Sequence, residues 1–146
     1  MSRRLFPALM ALLSFTAVPL APALPTDAEV AARQIALEVA GAFQNDGFKV
    51  RDGHWAGRLE KGEGKLIQVN LFAGNEYWFV LGAVAPATKV RIAVFDEAGQ
   101  PVESEPYEGT VSAAAGFSPG ISGPYYVQIA LLEGDPAACC MLYSYK

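Results

Sequence analysis

KLIQVNLF (residues 65–72) sets Ile67, Val69 and Leu71 on one side of an extended chain and Gln68 and Asn70 on the other. Successive side chains of a strand point to opposite faces, so strict alternation marks a strand with one buried face. The same period of two returns in TKVRIAVF (88–95), where Val90, Ile92 and Val94 alternate with Lys89 and Arg91. It returns again in YYVQIALL (125–132), where Tyr125, Val127, Ile129 and Leu131 alternate with Tyr126 and Gln128. Turn-forming residues punctuate these runs at KGEG (61–64), AGNE (73–76), DEAGQP (96–101), SPGISGP (118–124) and EGDP (133–136). About seven or eight short strands with no helical pattern between them exclude βαβ units and predict an antiparallel sandwich or barrel.

Upstream of Gly53 the rhythm is different. In TDAEVAARQIALEVAGAFQNDGF (26–48), Thr26 and Glu29 form a capping box, and Ala28, Val30, Ala31, Ile35, Val39, Ala42 and Phe43 recur at helical spacing. One amphipathic helix is expected from about Asp27 to Gln44, stopped by Asn45-Asp46-Gly47, with Arg33, Gln34 and Glu38 on its solvated side. A helix carrying a single Arg lacks the basic face of a membrane-surface helix, so packing on its own domain is the expectation. Trp78, Val80 and Phe95 are the apolar residues expected beneath it.

The start of the chain, MSRRLFPALMALLSFTAVPLAPALP, has Arg3 and Arg4, then an apolar run from Leu5 to Leu20, then Ala21-Pro22-Ala23. That order predicts a secretory signal over residues 1–23 cut after Ala23, since the run is short, broken by Pro7 and Pro19, and followed by a cleavable triplet. No membrane insertion is expected after the cut, and the location is periplasmic or extracellular. The domains are then residues 24–53, the helix and its connector, and residues 54–146, the sandwich. Losing Arg3 and Arg4 leaves 9 basic against 15 acidic side chains, a net charge of −6. Such a surface repels a phosphate backbone, so nucleic acid is not an expected partner.

The stretches GRLEKGEGKLIQVNLFAGNEYWFVLGA (57–83), VRIAVFDEAGQPV (90–102) and AAAGFSPGISGPYYVQI (113–129), read together, resemble the bacterial pre-peptidase C-terminal domain family. The resemblance rests on a Leu before a Gly turn, a strand into Ala-Gly with an aromatic soon after, an apolar strand into Asp-x-x-Gly, and Phe-x-Pro ahead of Ser-Gly-x-Tyr-Tyr. It implies a jelly-roll-like sandwich, an exported accessory module and no active site. Some members of that family bind matrix or polysaccharide, so the expected partner is a protein or a polysaccharide, and no cofactor is expected.

Reactive residues are few. His54, in RDGHWAG, is the only histidine, and a hydrolase or a zinc site would have to use it together with a thiol or a carboxylate. No motif spacing supports either. Asp96 and Glu97 are weak calcium candidates, because Ca²⁺ takes six to eight oxygens and this turn supplies two carboxylates without an Asp-x-Asp-x-Asp-Gly loop. Glu103, Glu105 and Glu108 read as a solvated face. Trp55, Trp78 and Tyr126 are the candidates for stacking a sugar ring or a partner's side chain, and for Trp78 burial under the helix competes with that role.

Cys139 and Cys140 are the only cysteines. Consecutive Cα atoms lie about 3.8 Å apart, whereas an unstrained disulfide spans roughly 4.4–6.8 Å. In the strand that AACCMLYSY (137–145) predicts, the two side chains also face opposite ways. Buried free thiols are therefore expected, with a vicinal or interchain bridge as the alternatives. The functional expectation is a non-catalytic exported binding module. A structural protein dimerised through an exposed cysteine and a small hydrolase using His54 are the other two readings.

Overall fold

The computed structural model describes residues 23–51 and 55–146. Helix α1 spans Asp27–Gln44. It opens on the capping box: Thr26 Oγ1 accepts from the Glu29 amide at 3.2 Å, and Glu29 Oε2 accepts from the Thr26 amide at 3.0 Å. Among the described residues nine strands follow: β1 Lys49–Val50, β2 Trp55–Leu59, β3 Gly64–Leu71, β4 Tyr77–Ala83, β5 Ala87–Phe95, β6 Glu105–Glu108, β7 Ser112–Phe117, β8 Gly123–Gly134 and β9 Ala137–Tyr145.

The strands form two antiparallel sheets, as the alternation implies. The larger runs β1-β9-β4-β7-β6, with β2 joining β9 beside β1, and the smaller runs β3-β8-β5. The described residues are thus mainly β, a two-sheet sandwich preceded by one helix. Strand β1 lies within the stretch expected to be connector, and it pairs Lys49 with Tyr145 and Val50 with Ser144. Two residues are too few to show a period, so this strand left no mark in the sequence pattern.

The main core lies between the sheets. Phe79 and Leu81 of the larger sheet meet Leu71, Val94, Val127, Ile129 and Leu131 of the smaller one. These are the inward positions that the period of two assigned in β3, β5 and β8. A second core lies on the outer side of the larger sheet, where Val80, Ala114 and Leu142 meet Ala36 and Ala40 of α1. Strand β9 is covered on both sides, by the sandwich core and by the helix. That explains why AACCML carries no polar residue: a strand buried on both faces has no solvated side for the alternation to report.

Two details of the helix depart from the sequence reading. Its fully buried stripe is Ala32, Ala36 and Ala40, whereas Ala28, Val30 and Ala31 are exposed and Ile35, Val39 and Phe43 only half-buried. Distance of approach is the reason. A Cβ on Gly82 of β4 would lie 2.6 Å from the Ala32 carbonyl oxygen and 2.7 Å from the Ala36 nitrogen, so the helix backbone rests directly on the strand and only small side chains fit between. The second departure is Phe95, which does not lie under α1. It ends β5 in the other sheet, opposite Tyr126, because Val94 takes the inward position and its neighbour must point out.

Candidate binding face

The helix covers one outer face of the sandwich, and among the described residues no element covers the other. On that second face the outward positions of β3, β8 and β5 fall in register: Gln68, Tyr126 and Phe95 form one row, and Leu66, Gln128 and Ala93 the next. Leu66 is 59 % exposed, although it belongs to a long, regular strand. Leu66, Phe95, Glu97, Gly99, Tyr126 and Gln128 line a shallow cleft of about 350 Å³. Gln128 Oε1 accepts from Arg91 Nη2 at 3.5 Å, so the guanidinium next to the cleft leans on an amide rather than on Glu97.

The rim of this cleft is the 96–100 turn. Asp96 Oδ1 accepts from the amides of Ala98 at 3.0 Å and Gln100 at 2.9 Å, and Gly99 takes φ +78°, the left-handed conformation that the tight hairpin requires. Asp96 is thereby occupied as a turn builder, while Glu97 projects into solvent. Beyond the turn lies a smaller cleft of about 230 Å³, also lined by Glu97 and bounded by Ile121, which is 77 % exposed. The Ile121 loop is held by Tyr125, whose hydroxyl donates to the Ile121 carbonyl at 2.7 Å, and by Ser122, whose Oγ accepts from the Ala73 amide at 2.8 Å. A fixed rim of this kind keeps exposed apolar groups from collapsing onto the body of the protein.

The three aromatic candidates separate. Tyr126 stands on the bare face. Trp78 lies beneath the helix, its ring stacked on Phe43 at 4.2 Å with an interplanar angle of 9°, and flat against Gly116, where a Cβ would meet the indole at about 2.9 Å. Trp55 packs at the margin of the main core, with Lys65 Nζ 5.2 Å above its ring. Only Tyr126 is placed to receive a ligand without moving another element. Its partners Phe95 and Leu66 were missed in the sequence, although both stand out of phase with the inward residues beside them. That mismatch, an apolar side chain at a polar position of the alternation, was the available signal.

Cys139 and Cys140 are free and fully buried. Cys139 belongs to the main core; Cys140 faces the helix, where its charged neighbours are Arg33 and Glu29. Burial pushes the Cys139 thiol up to about 11, opposed by a backbone hydrogen bond at Leu59 and reinforced by Cys140. Burial likewise raises Cys140 to about 11, opposed by Arg33 and reinforced by Glu29. At neutral pH both sulfurs are thiols, poor nucleophiles without a route to solvent. An interchain bridge would need a sulfur that reaches the surface, and neither does. His54 lies outside the described residues. Among the described residues no three His, Cys, Asp or Glu side chains cluster as metal ligands, and no helix is long and apolar enough to cross a membrane.

The fold and the bare face define a class of protein: a β-sandwich roofed on one side by a helix and open on the other. No protein-family model matches the chain, and no curated protein matches it either. The resemblance to the pre-peptidase C-terminal family therefore rests on the sequence motifs and their order.

Proposed function

We propose that this chain is an exported, non-catalytic accessory module, similar to pre-peptidase C-terminal domains, that holds a protein or a glycan on the bare face of β3-β8-β5. The observation that carries this reading is the patch of Leu66, Phe95 and Tyr126. Leu66 is exposed and Phe95 and Tyr126 are half-buried on the solvent side of a sheet whose inward positions already fill a core, so the core between the sheets does not account for them. Gln128 and Glu97 beside them offer an amide and a carboxylate to hydroxyl or amide groups, and the aromatic walls suit a sugar ring or an apolar side chain. Apart from Ala23, the signal expected over residues 1–23 lies outside the described residues, and export rests on the sequence pattern. Ala23, Leu24 and Pro25 are exposed and precede the helix cap, so cleavage after Ala23 leaves the capping box whole.

Binding of the purified protein to insoluble polysaccharides and to proteins captured from the exported fraction tests the proposal, using the wild type and the Tyr126→Ala/Phe95→Ala double variant. Loss of retention by a double variant that remains folded is the expected result. Undiminished retention would move the site elsewhere on the molecule.

A further inference from the structure

The alanine stripe of α1 leaves a question about its larger apolar side chains. Ile35, Val39 and Phe43 form an i, i+4, i+8 row, and β-branched and aromatic residues are weaker helix formers than alanine. Only part of that row serves the helix–sheet core: Val39 and Phe43 rest against it on one flank. On the other side the row lines an open groove of about 520 Å³ between α1 and the β6–β7 hairpin, whose opposite wall includes Tyr107 and Thr110. The groove exists because α1 lies mainly over β4 and β9 and reaches β7 at Ala114, leaving the outer side of β6 and the β6–β7 turn uncovered. The β7 residues beside it are small: Ala114, opposite Tyr107, lies under the helix, and Gly116, opposite Glu105, lies under the Trp78 indole.

Among the described residues that line this groove, the charged one is acidic. Glu38 lines it from the helix, and Glu105 shares the outer face of β6 with Tyr107, with Glu103 and Glu108 close by in the chain. No Lys or Arg occurs from Gln34 to Phe48 or from Gln100 to Tyr145, so neither wall holds a cation. Among the described residues the polar contact of Glu38 is with a neutral group, Gln34 Nε2, which donates to its Oε1 at 3.4 Å. The single ion pair among the described residues, Lys146 with Glu76 at 3.1 Å, involves none of these glutamates.

We propose that the groove docks a basic amphipathic segment of a partner protein. Apolar side chains of that segment fill the space between the Ile35-Val39-Phe43 row and Tyr107, and its Lys or Arg residues face Glu38 and Glu105. Charge complementarity selects this occupant: an acidic segment would be repelled, and an uncharged apolar one would leave the carboxylates without partners. The surface is separate from the bare face, on the opposite side of the sandwich, so either proposal can fail without the other.

The test is fluorescence anisotropy of a labelled amphipathic Leu/Lys peptide, with a Leu/Glu peptide of the same pattern as its counterpart. Saturable binding of the Leu/Lys peptide that weakens with added salt is expected, with none for the Leu/Glu peptide. Glu38→Lys with Glu105→Lys should weaken binding about tenfold or more. Ala42→Trp, which fills the groove from an exposed helix position, should weaken it without reversing a charge. A second acidic pair gives the control: Glu60→Lys with Glu63→Lys, in the β2–β3 turn at the other edge of the larger sheet, should leave affinity unchanged. Equal weakening by both charge reversals would reduce the binding to general acidity and overturn the proposal. So would an Ala42→Trp variant, folded by circular dichroism, that binds as the wild type does.

Discussion

The two outer faces of this sandwich handle exposed apolar surface in opposite ways. On the larger sheet the outward positions are Val80, Ala114, Leu142 and Cys140, and a helix seals them with three alanines and a Phe43–Trp78 stack. On the smaller sheet Leu66, Phe95 and Tyr126 occupy equivalent outward positions with no layer above them among the described residues, Leu66 exposed and the two aromatics half-buried. Size separates the two solutions. A roof needs small residues, so that helix and strand backbones can touch, whereas a surface that receives a ligand presents large, stiff side chains at low entropic cost. An apolar outward face is therefore not evidence of function until the layer above it is known.

The contrast is open to measurement, beginning with the position where the roof has least tolerance. Gly82→Val would drive a side chain into the Ala32 and Ala36 backbone, which cannot move aside as a flexible side chain would. A loss of about 3 kcal/mol is expected in denaturant titration, with Trp78 fluorescence shifting to the red as the helix lifts. Phe43→Ala removes the stack on Trp78 and part of the second core, and about 2 kcal/mol should be lost. A smaller loss, or an unshifted Trp78 spectrum in either variant, would mean that the helix is only loosely attached and that both faces are effectively bare.

Alkaline pH probes the layers on either side of β9. Both thiols rise from 9.0 to about 11 on folding, so between those values the unfolded chain has released protons that the folded chain still holds. Stability is then complete below about pH 9 and falls as pH rises toward 11. Burial also raises the Tyr143 phenol, with Arg51 opposing and Tyr77 reinforcing, and this acts in the same direction at the upper end of the range. Urea midpoints at about pH 8 and about pH 10.5 should differ, and the difference should shrink in a Cys139→Ala/Cys140→Ala variant. Equal midpoints for the wild type would show that the sulfurs reach water.

The smallest effect on stability belongs to the bare face. Tyr126→Ala removes a cross-strand pair with Phe95 and should cost less than about 1 kcal/mol. The same change is expected to abolish ligand retention, so stability and binding separate at this residue. A loss as large as that at Phe43 would make Tyr126 a structural residue.

Much of this architecture could be read from local pattern. The helix limits at Asp27 and Gln44 follow from Thr26, Glu29 and the Asn-Asp-Gly stop, all within a few residues of the ends they fix. The inward sets of β3, β5 and β8 follow from alternation, because chain geometry alone sends neighbours to opposite faces. Tyr126 was legible as a candidate, but its partners were not. The sequence reading puts Phe95 in the wrong layer, and Leu66 does not stand out because a single out-of-phase leucine is common on protein surfaces. The rotation of α1 departs from the sequence expectation for a related reason. Hydrophobicity favours the face bearing Val30, Ile35 and Val39, whereas contact distance favours the alanines, and contact distance depends on Gly82 in a strand far along the chain.

What the sequence determined by itself is the inside and outside of each strand and the span of the helix, because these depend on chain geometry over a few residues. Only the tertiary structure decided which outside is roofed, which stays bare, and where a groove opens between helix and hairpin. Those outcomes depend on which strands share a sheet and how closely two backbones approach, quantities set by residues distant in the chain and written in no local period.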